Sequence, residues 1–336
     1  MKKLLIIFLS FLIFSSSFSG VNVKAQTNNS GENSFQVLTF QDVVTKFSDK
    51  IYLKAEDDGK TQRVTRREFD NLKELVREKF KNSSEEKTLF NKEPVNPNGF
   101  LESNSQKYSQ VKADVGVKNT GANYLEVARD IVLNPSNRTI TLSLTISDMI
   151  GEPPVIVVAG SNLYNSKEPY GAFYQVFDTY VEWTGLEIFV GQTYSKSYTV
   201  SETNYWMVST TAVSGWLGSV PKSHTLRDGP FLTNSIAAPY PIILNKHNGK
   251  YMPHPARADY AWLPPEDRVP RDAEPYRANY IKQYIDTYGD PKWDWSLLDI
   301  HHVRPLEYGG NHDFNNLFAL PREMHQREVT PWWTNY

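Results

Sequence analysis

Seven histidines occur in 336 residues, and four of them (His301, His302, His312 and His325) fall within the last 36. An even spread would put fewer than one there. Imidazole binds transition metals and titrates near neutrality, so such a cluster suits metal ligation or proton transfer. Cysteine is absent, which removes disulfides, catalytic thiols, cysteine zinc knuckles and iron–sulfur clusters. The chemistry of the last segment has to be done with imidazole, carboxylate, amide and bound metal.

The spacing prescribes how this cluster is held. Residues 297–303 read as a strand, and Gly309-Gly310 as a loop that turns the chain back. Residues 317–320 read as the return strand. Pro321 suits the first turn of a helix, where its missing N–H needs no partner. His325 then lies one turn into a helix packed over the hairpin. Neighbours on a strand face opposite ways. His301 and His302 are therefore expected on opposite faces, unless local distortion turns both to one site. His312 and Asp313 suit a solvated loop tip as well as a ligand role.

The His301-His302 pair, Pro305, Gly309-Gly310, Asn316-Leu317 and the closing His325 resemble the motif of the HNH nucleases. The ββα-metal unit of that family is shared with the nuclease domains of colicins. The resemblance covers residues 293–336. It implies that His302 is the general base, that His301 and His325 are metal ligands, and that Asn316 braces the loop and the base. Arg304 is added as a phosphate contact because of its proximity, not because of the motif. Phosphodiester hydrolysis needs a base that works near neutral pH and a divalent cation to offset charge on phosphate and leaving oxygen. Colicin-like members carry a further His four residues after the position of His325, where this chain has Val329. Two imidazoles remain, with Glu328, Asp299, Asn316 or water to complete the shell. More oxygen among the ligands favours Mg²⁺ or Mn²⁺ over Zn²⁺ or Ni²⁺. The implied activity is that of a metal-dependent endonuclease, with DNA ahead of RNA as substrate. The wider setting resembles secreted bacterial nucleases and toxins. As a toxin it would be matched by a small inhibitor (immunity) protein.

Charge gives this reading no support. Lys+Arg 36 against Asp+Glu 38 leaves a net of −2. From residue 221 onward there are 13 basic and 14 acidic side chains. Nucleic-acid binders normally carry a basic footprint. Arg257, Arg268, Arg271, Arg277, Arg304, Arg322 and Arg327 must therefore share a face, or affinity is low. Trp332 and Trp333 are expected in the core of the small unit in preference to stacking on bases. The competing reading is an exported, non-enzymatic binding protein. Its β domain would recognise carbohydrate or a partner, and its histidines would form a structural metal site.

The elements upstream suggest delivery. Lys2-Lys3, an apolar run over residues 4–14 and Val23-Lys24-Ala25 read as a signal peptide cut after Ala25. An eleven-residue run is too short to span a bilayer, which takes about 20. The mature protein is expected to be secreted and extracellular, with no stable membrane association. Residues 26–110 read as a polar leader and linker around an amphipathic helix at 61–80, with a capping box from Thr65 to Glu68. From about Val111 the apolar period becomes two, as in Ile140, Leu142, Leu144 and Ile146. Residues 111–220 are thus expected to form an antiparallel sandwich. Tyr164, Tyr170, Tyr174 and Tyr180 are expected in cross-strand aromatic pairs. Residues 221–292 read as a Pro-rich connection ending in a helix at 276–288, stopped by Gly289. The expected fold class is α+β and multidomain, with a β-rich sandwich-like middle followed by the small ββα-metal unit at 293–336.

Overall fold

The computed structural model describes residues 34–38, 50–54, 66–84, 88–90 and 123–336. The expected signal peptide of residues 1–25, and most of the leader and linker expected over 26–110, lie outside the described residues. Among those described, no helix is long and apolar enough to cross a membrane.

Two antiparallel sheets dominate. One runs in the order β2 (Lys50–Lys54), β4 (Tyr124–Asn134), β5 (Thr139–Ile150), β9 (Thr193–Thr199). The other runs β11 (Lys222–Thr233), β10 (Asn204–Gly215), β6 (Ile156–Ser166), β7 (Ala172–Asp178), β3 (Thr88–Phe90), with β8 (Val181–Thr184) also on β6. In β5 the four alternating apolar residues are buried. Thr141, Ser143 and Thr145 between them pair with Ser197, Ser195 and Thr193 of β9 at 2.8–2.9 Å. That is the half-buried strand its sequence describes. β6 lacks such alternation because both of its faces are covered. Val157 and Ala159 pack in the inter-sheet core, and Ile156 and Val158 pack under Leu72 and Val76 of helix α1 (Arg66–Ser84). Arg129 of β4 crosses the sandwich to pair with Asp228 of β11.

The sandwich extends beyond the expected limits of 111–220. β11 pairs along β10 from Lys222 to Thr233, and β2, α1 and β3 join from the region read as leader. The ladder satisfies backbone groups whatever polar side chains face outward, so composition does not mark its end. The alternating stretch from Phe173 to Trp183 is split at Thr179, whose N–H donates to Ser161 O at 2.8 Å. Tyr164 is buried, unlike Tyr170, Tyr174 and Tyr180.

β1 (Phe35–Leu38), β12 (Ile242–Asn245) and β13 (Lys250–Tyr251) form a small third sheet. Residues 252–275 then run as a proline-rich strap to α2 (Tyr276–Tyr288). Gly289 closes α2 at φ 84, a left-handed value that glycine accepts freely. The chain ends with an antiparallel hairpin, β14 (Leu298–His302) and β15 (Leu317–Pro321), and a short helix. That helix, α3 (residues 322–334), widens into a π turn over His325–Val329. Pro331 has no N–H to give an i−4 carbonyl, and the wide turn accommodates this. Pro321 closes β15 and caps the helix, one position ahead of the first turn expected for it.

The hairpin unit has no core of its own. Tyr164, Phe173 and Tyr205 from the sandwich belong to one apolar cluster with Tyr280 and Tyr284 of α2 and with Ile300, Leu320 and Trp332. Trp332 and Trp333 are buried in it. Polar seams reinforce the joint. Trp332 Nε1 donates to Ala238 O, and Asn234 Nδ2 donates to Trp332 O, each at 3.0 Å.

Two outcomes follow. Residues 293–336 expressed alone in EDTA should show no cooperative melt by circular dichroism, and a sharp native-like transition would contradict the shared core. His254 packs against Tyr240 with ring centroids 5.2 Å apart. Burial pushes its imidazole down from 6.5 to about 4. The unfolded chain therefore binds a proton that the folded chain refuses. This contribution to stability is complete above pH 6.5 and is lost as pH falls toward 4. The melting temperature of His254→Phe should fall less than that of wild type across this window, and equal falls would refute the assignment.

Candidate functional site

β14 gives the two adjacent histidines different partners, in keeping with strand alternation. Asp299 and His301, two residues apart, share the side facing α3. There His301 Nδ1 stands 3.1 Å from His325 Nε2, with ring centroids 5.0 Å apart. Behind it, His325 Nδ1 lies 3.1 Å from Asp299 Oδ2. Arg322 Nε donates to the other carboxylate oxygen at 3.2 Å. With the proton of His325 on Nδ1, donated to Asp299, its Nε2 lone pair is aimed at His301.

On the other side, His302 Nε2 lies 2.9 Å from His312 Nδ1. Tyr276, at the start of α2, stacks flat on His312 at 4.6 Å and 8° and sits 5.1 Å from His302. Both strand imidazoles are held neutral. Burial, with smaller contributions from His325 and His302, pushes His301 well below its ordinary range. Burial also brings His302 down to about 4, helped by His312, Arg271 and His325.

Asn316 staples the loop. Its Oδ1 accepts from Arg304 N–H at 2.8 Å, and its Nδ2 donates to Arg304 O at 3.0 Å and Asn311 O at 2.8 Å. Val303 N–H donates to its backbone carbonyl at 2.8 Å. Two glycines allow this fold-back. Gly309 has φ 79, and a Cβ at Gly310 would stand 1.8 Å from Arg304 O.

Of the residues read from sequence, His301 and His325 meet, His302 pairs with His312, and Asn316 locks the loop. Arg304 is engaged by that loop: Nε donates to Tyr308 O at 2.6 Å, and the guanidinium lies 4.2 Å from the Tyr260 ring centroid. Of the oxygens expected to complete a metal shell, Asp299 sits on the far nitrogen of His325 and Asn316 is spent on the loop. Val329 is fully buried. Among the described residues, no three His, Asp or Glu side chains converge on one point. Sequence reading missed the Asp299–His325 contact, although i, i+2 spacing with His301 marks the shared face. It also missed the His302–His312 pair, which no local pattern signals. Most of the arginines are committed within the protein: Arg277 to Leu298 O and Trp295 O, and Arg257 to Asp259 and Glu168. Arg271 has no hydrogen bond or ion pair among the described residues and acts electrostatically on His302.

The facing nitrogens pass a simple test for a cation. Two imidazole nitrogens at about 2.1 Å from one ion, near the tetrahedral angle, stand about 3.4 Å apart, against the 3.1 Å found. A carboxylate behind a ligand histidine is the usual means of fixing its tautomer.

No protein-family model matches the chain, and no curated protein matches it significantly. The functional reading therefore rests on the side chains themselves.

Asn316→Ala should destabilise the chain by about 1–3 kcal/mol, the cost of stranding partly buried backbone partners. Asn316→Asp, which keeps the acceptor, should lose less. Urea unfolding measures both, and an Ala variant as stable as wild type would show that the staple contributes nothing.

Proposed function

We propose that this protein is a secreted, metal-dependent endonuclease of the HNH, ββα-metal kind, hydrolysing phosphodiester bonds of DNA in preference to RNA. The observation that carries the reading is the facing of His301 Nδ1 and His325 Nε2 at 3.1 Å, with Asp299 behind, next to a neutral His302 close enough for His325 to act on it electrostatically. The hairpin, the Asn316-locked glycine loop and the helix bearing His325 occur in the order that the HNH resemblance calls for.

His301 and His325 would hold the divalent cation. Mg²⁺ or Mn²⁺ is favoured over Zn²⁺ or Ni²⁺, since only two side-chain ligands converge and oxygen fills the rest. A cation bound there would offset charge on the scissile phosphate and the departing oxygen. His302, unprotonated at neutral pH, accepts the proton of the attacking water. Phosphate brought beside it adds negative charge, which raises the affinity of the imidazole for that proton. Arg304 keeps the phosphate contact read for it from the sequence, and Arg271, which acts electrostatically on His302, is a second cation to meet a phosphate oxygen. The sandwich shares its core with this unit and so presents it as one body. As an antibacterial toxin the protein would meet an inhibitor (immunity) protein at this face.

The test is cleavage of plasmid DNA and of RNA by the purified full chain, with Mg²⁺, Mn²⁺, Ni²⁺ and Zn²⁺ tried separately and EDTA as control. EDTA-sensitive cutting supports the reading. A chain that cuts neither substrate with any metal favours the exported binding protein with a structural metal site. Exposed Tyr170 and Tyr174, beside a groove that includes Lys167, Glu168 and Glu202, would then be its recognition surface.

Replacing His302 by Ala should lower the rate by roughly 10²- to 10⁴-fold, the usual value of a positioned base, and leave metal affinity unchanged. His325→Ala should lose metal affinity and activity together. Calorimetric titration beside the cleavage assay separates the two, and unaltered metal binding in His325→Ala would remove it from the site.

A further inference from the structure

Two hydrogen bonds beyond His302 determine where its proton sits. His312 Nε2 lies 3.0 Å from the carbonyl oxygen of Pro270 in the strap. A carbonyl only accepts, so His312 carries its hydrogen on Nε2, and a singly protonated ring then has its lone pair on Nδ1. That lone pair faces His302 Nε2 at 2.9 Å, so His302 is the donor. A neutral imidazole has one N–H. His302 is left with a bare lone pair on Nδ1.

The surroundings support this assignment. His302 Nδ1 has no hydrogen-bond partner among the described residues, and it is not one of the sealed, unpartnered nitrogens, as His301 Nε2 is. Tyr276 covers the His312 ring face to face and lies tilted against the ring of His302 at 5.1 Å. Rotation of His312 would break both the stacking and the bond to Pro270.

We propose that His312 is a positioning residue: anchored on the Pro270 carbonyl and clamped by Tyr276, it holds His302 as the Nε2–H tautomer, so that Nδ1 is the atom that receives a proton. The proposal rests on the nuclease reading for its catalytic meaning. In that reaction, one O–H bond of water breaks, and its proton goes to His302 Nδ1. The water oxygen forms a bond to phosphorus. The bond from phosphorus to the departing oxygen breaks with its electron pair, and that oxygen takes a proton from solvent. His302 is then doubly protonated, and the lone pair of His312 Nδ1 continues to accept from its Nε2–H, which spreads the new charge. The opposite tautomer would place hydrogen on the nitrogen that has to accept one.

The test is the nitrogen spectrum of the full chain labelled with ¹⁵N-histidine, recorded in EDTA, beside cleavage rates with metal restored. Wild type should show His302 protonated at Nε2 and bare at Nδ1. His312→Leu should give a tautomer mixture and lower the rate about 10- to 100-fold, the usual cost of losing an orienting partner. His312→Asn, whose Oδ1 stands near the place of Nδ1 and accepts the same hydrogen, should restore the tautomer and most of the rate. Metal affinity unchanged in both variants excludes a general collapse of the site. The proposal falls if His302 in wild type carries its hydrogen on Nδ1, or if His312→Leu keeps both the tautomer and the rate. It also falls if added Zn²⁺ shifts His302 Nε2 and His312 Nδ1 together as a ligand pair. A wild-type chain that cleaves nothing removes the nuclease reading alone, because the tautomer in wild type and in His312→Leu still decides whether His312 holds it.

Discussion

The joint between the sandwich and the last 44 residues is the constraint on which the site depends. Two five-residue strands and a broken helix expose too much surface for their volume to fold unaided. The aromatic cluster built on Tyr280, Tyr284, Trp293 and Trp332 supplies the missing interior by borrowing it from β6, β7 and β10. α2 is the intermediary. Tyr280 accepts a hydrogen bond from Ala319 N–H at 3.1 Å, and Arg277 donates to two carbonyls at the start of the hairpin. The hairpin is therefore located by contacts outside itself, and its histidines inherit that precision.

Burial then acts on the two strand imidazoles, His301 and His302, in the same direction but among different partners. On the α3 side, three polar groups in line (Asp299, His325 and His301) end in two ring nitrogens that point at each other. On the α2 side, the line runs from a backbone carbonyl through His312 to His302. Each chain of bonds starts at a group that can only accept, and this sets the direction of every hydrogen after it. The site is an arrangement of lone pairs, and burial keeps the rings of His301 and His302 uncharged.

Much of this was legible in the sequence because the local signals are strong. The i, i+3, i+4, i+7 spacing of Ile281, Tyr284, Ile285 and Tyr288, stopped by Gly289, marks α2 at its observed bounds. Gly309-Gly310 between two apolar runs marks the hairpin to within a residue or two. Period two marks β5. What was not legible depends on distance along the chain. Arg304 reads as a free cation until Tyr260 and the Tyr308 carbonyl occupy it. Tyr164 reads as a surface aromatic until the hairpin unit covers it. β11 reads as connection because its polar residues hide a complete ladder with β10. The His302–His312 pair needs the loop folded back by Asn316, and Pro270 comes from a strap whose one regular turn, at Pro265–Asp267, does not reveal its path.

Strand parity also bears on how this region can change over generations. Which of two chemically identical neighbours lies against α3, and which against α2, is decided by whether its position in β14 is odd or even. One inserted or deleted residue within β14 would exchange their surroundings: His301 would meet His312, and His302 would meet His325. The composition would be untouched and the arrangement inverted. Length variation is therefore not tolerable within the strand, and the spacing of the pair from Leu298 is under tighter constraint than the identity of most residues around it.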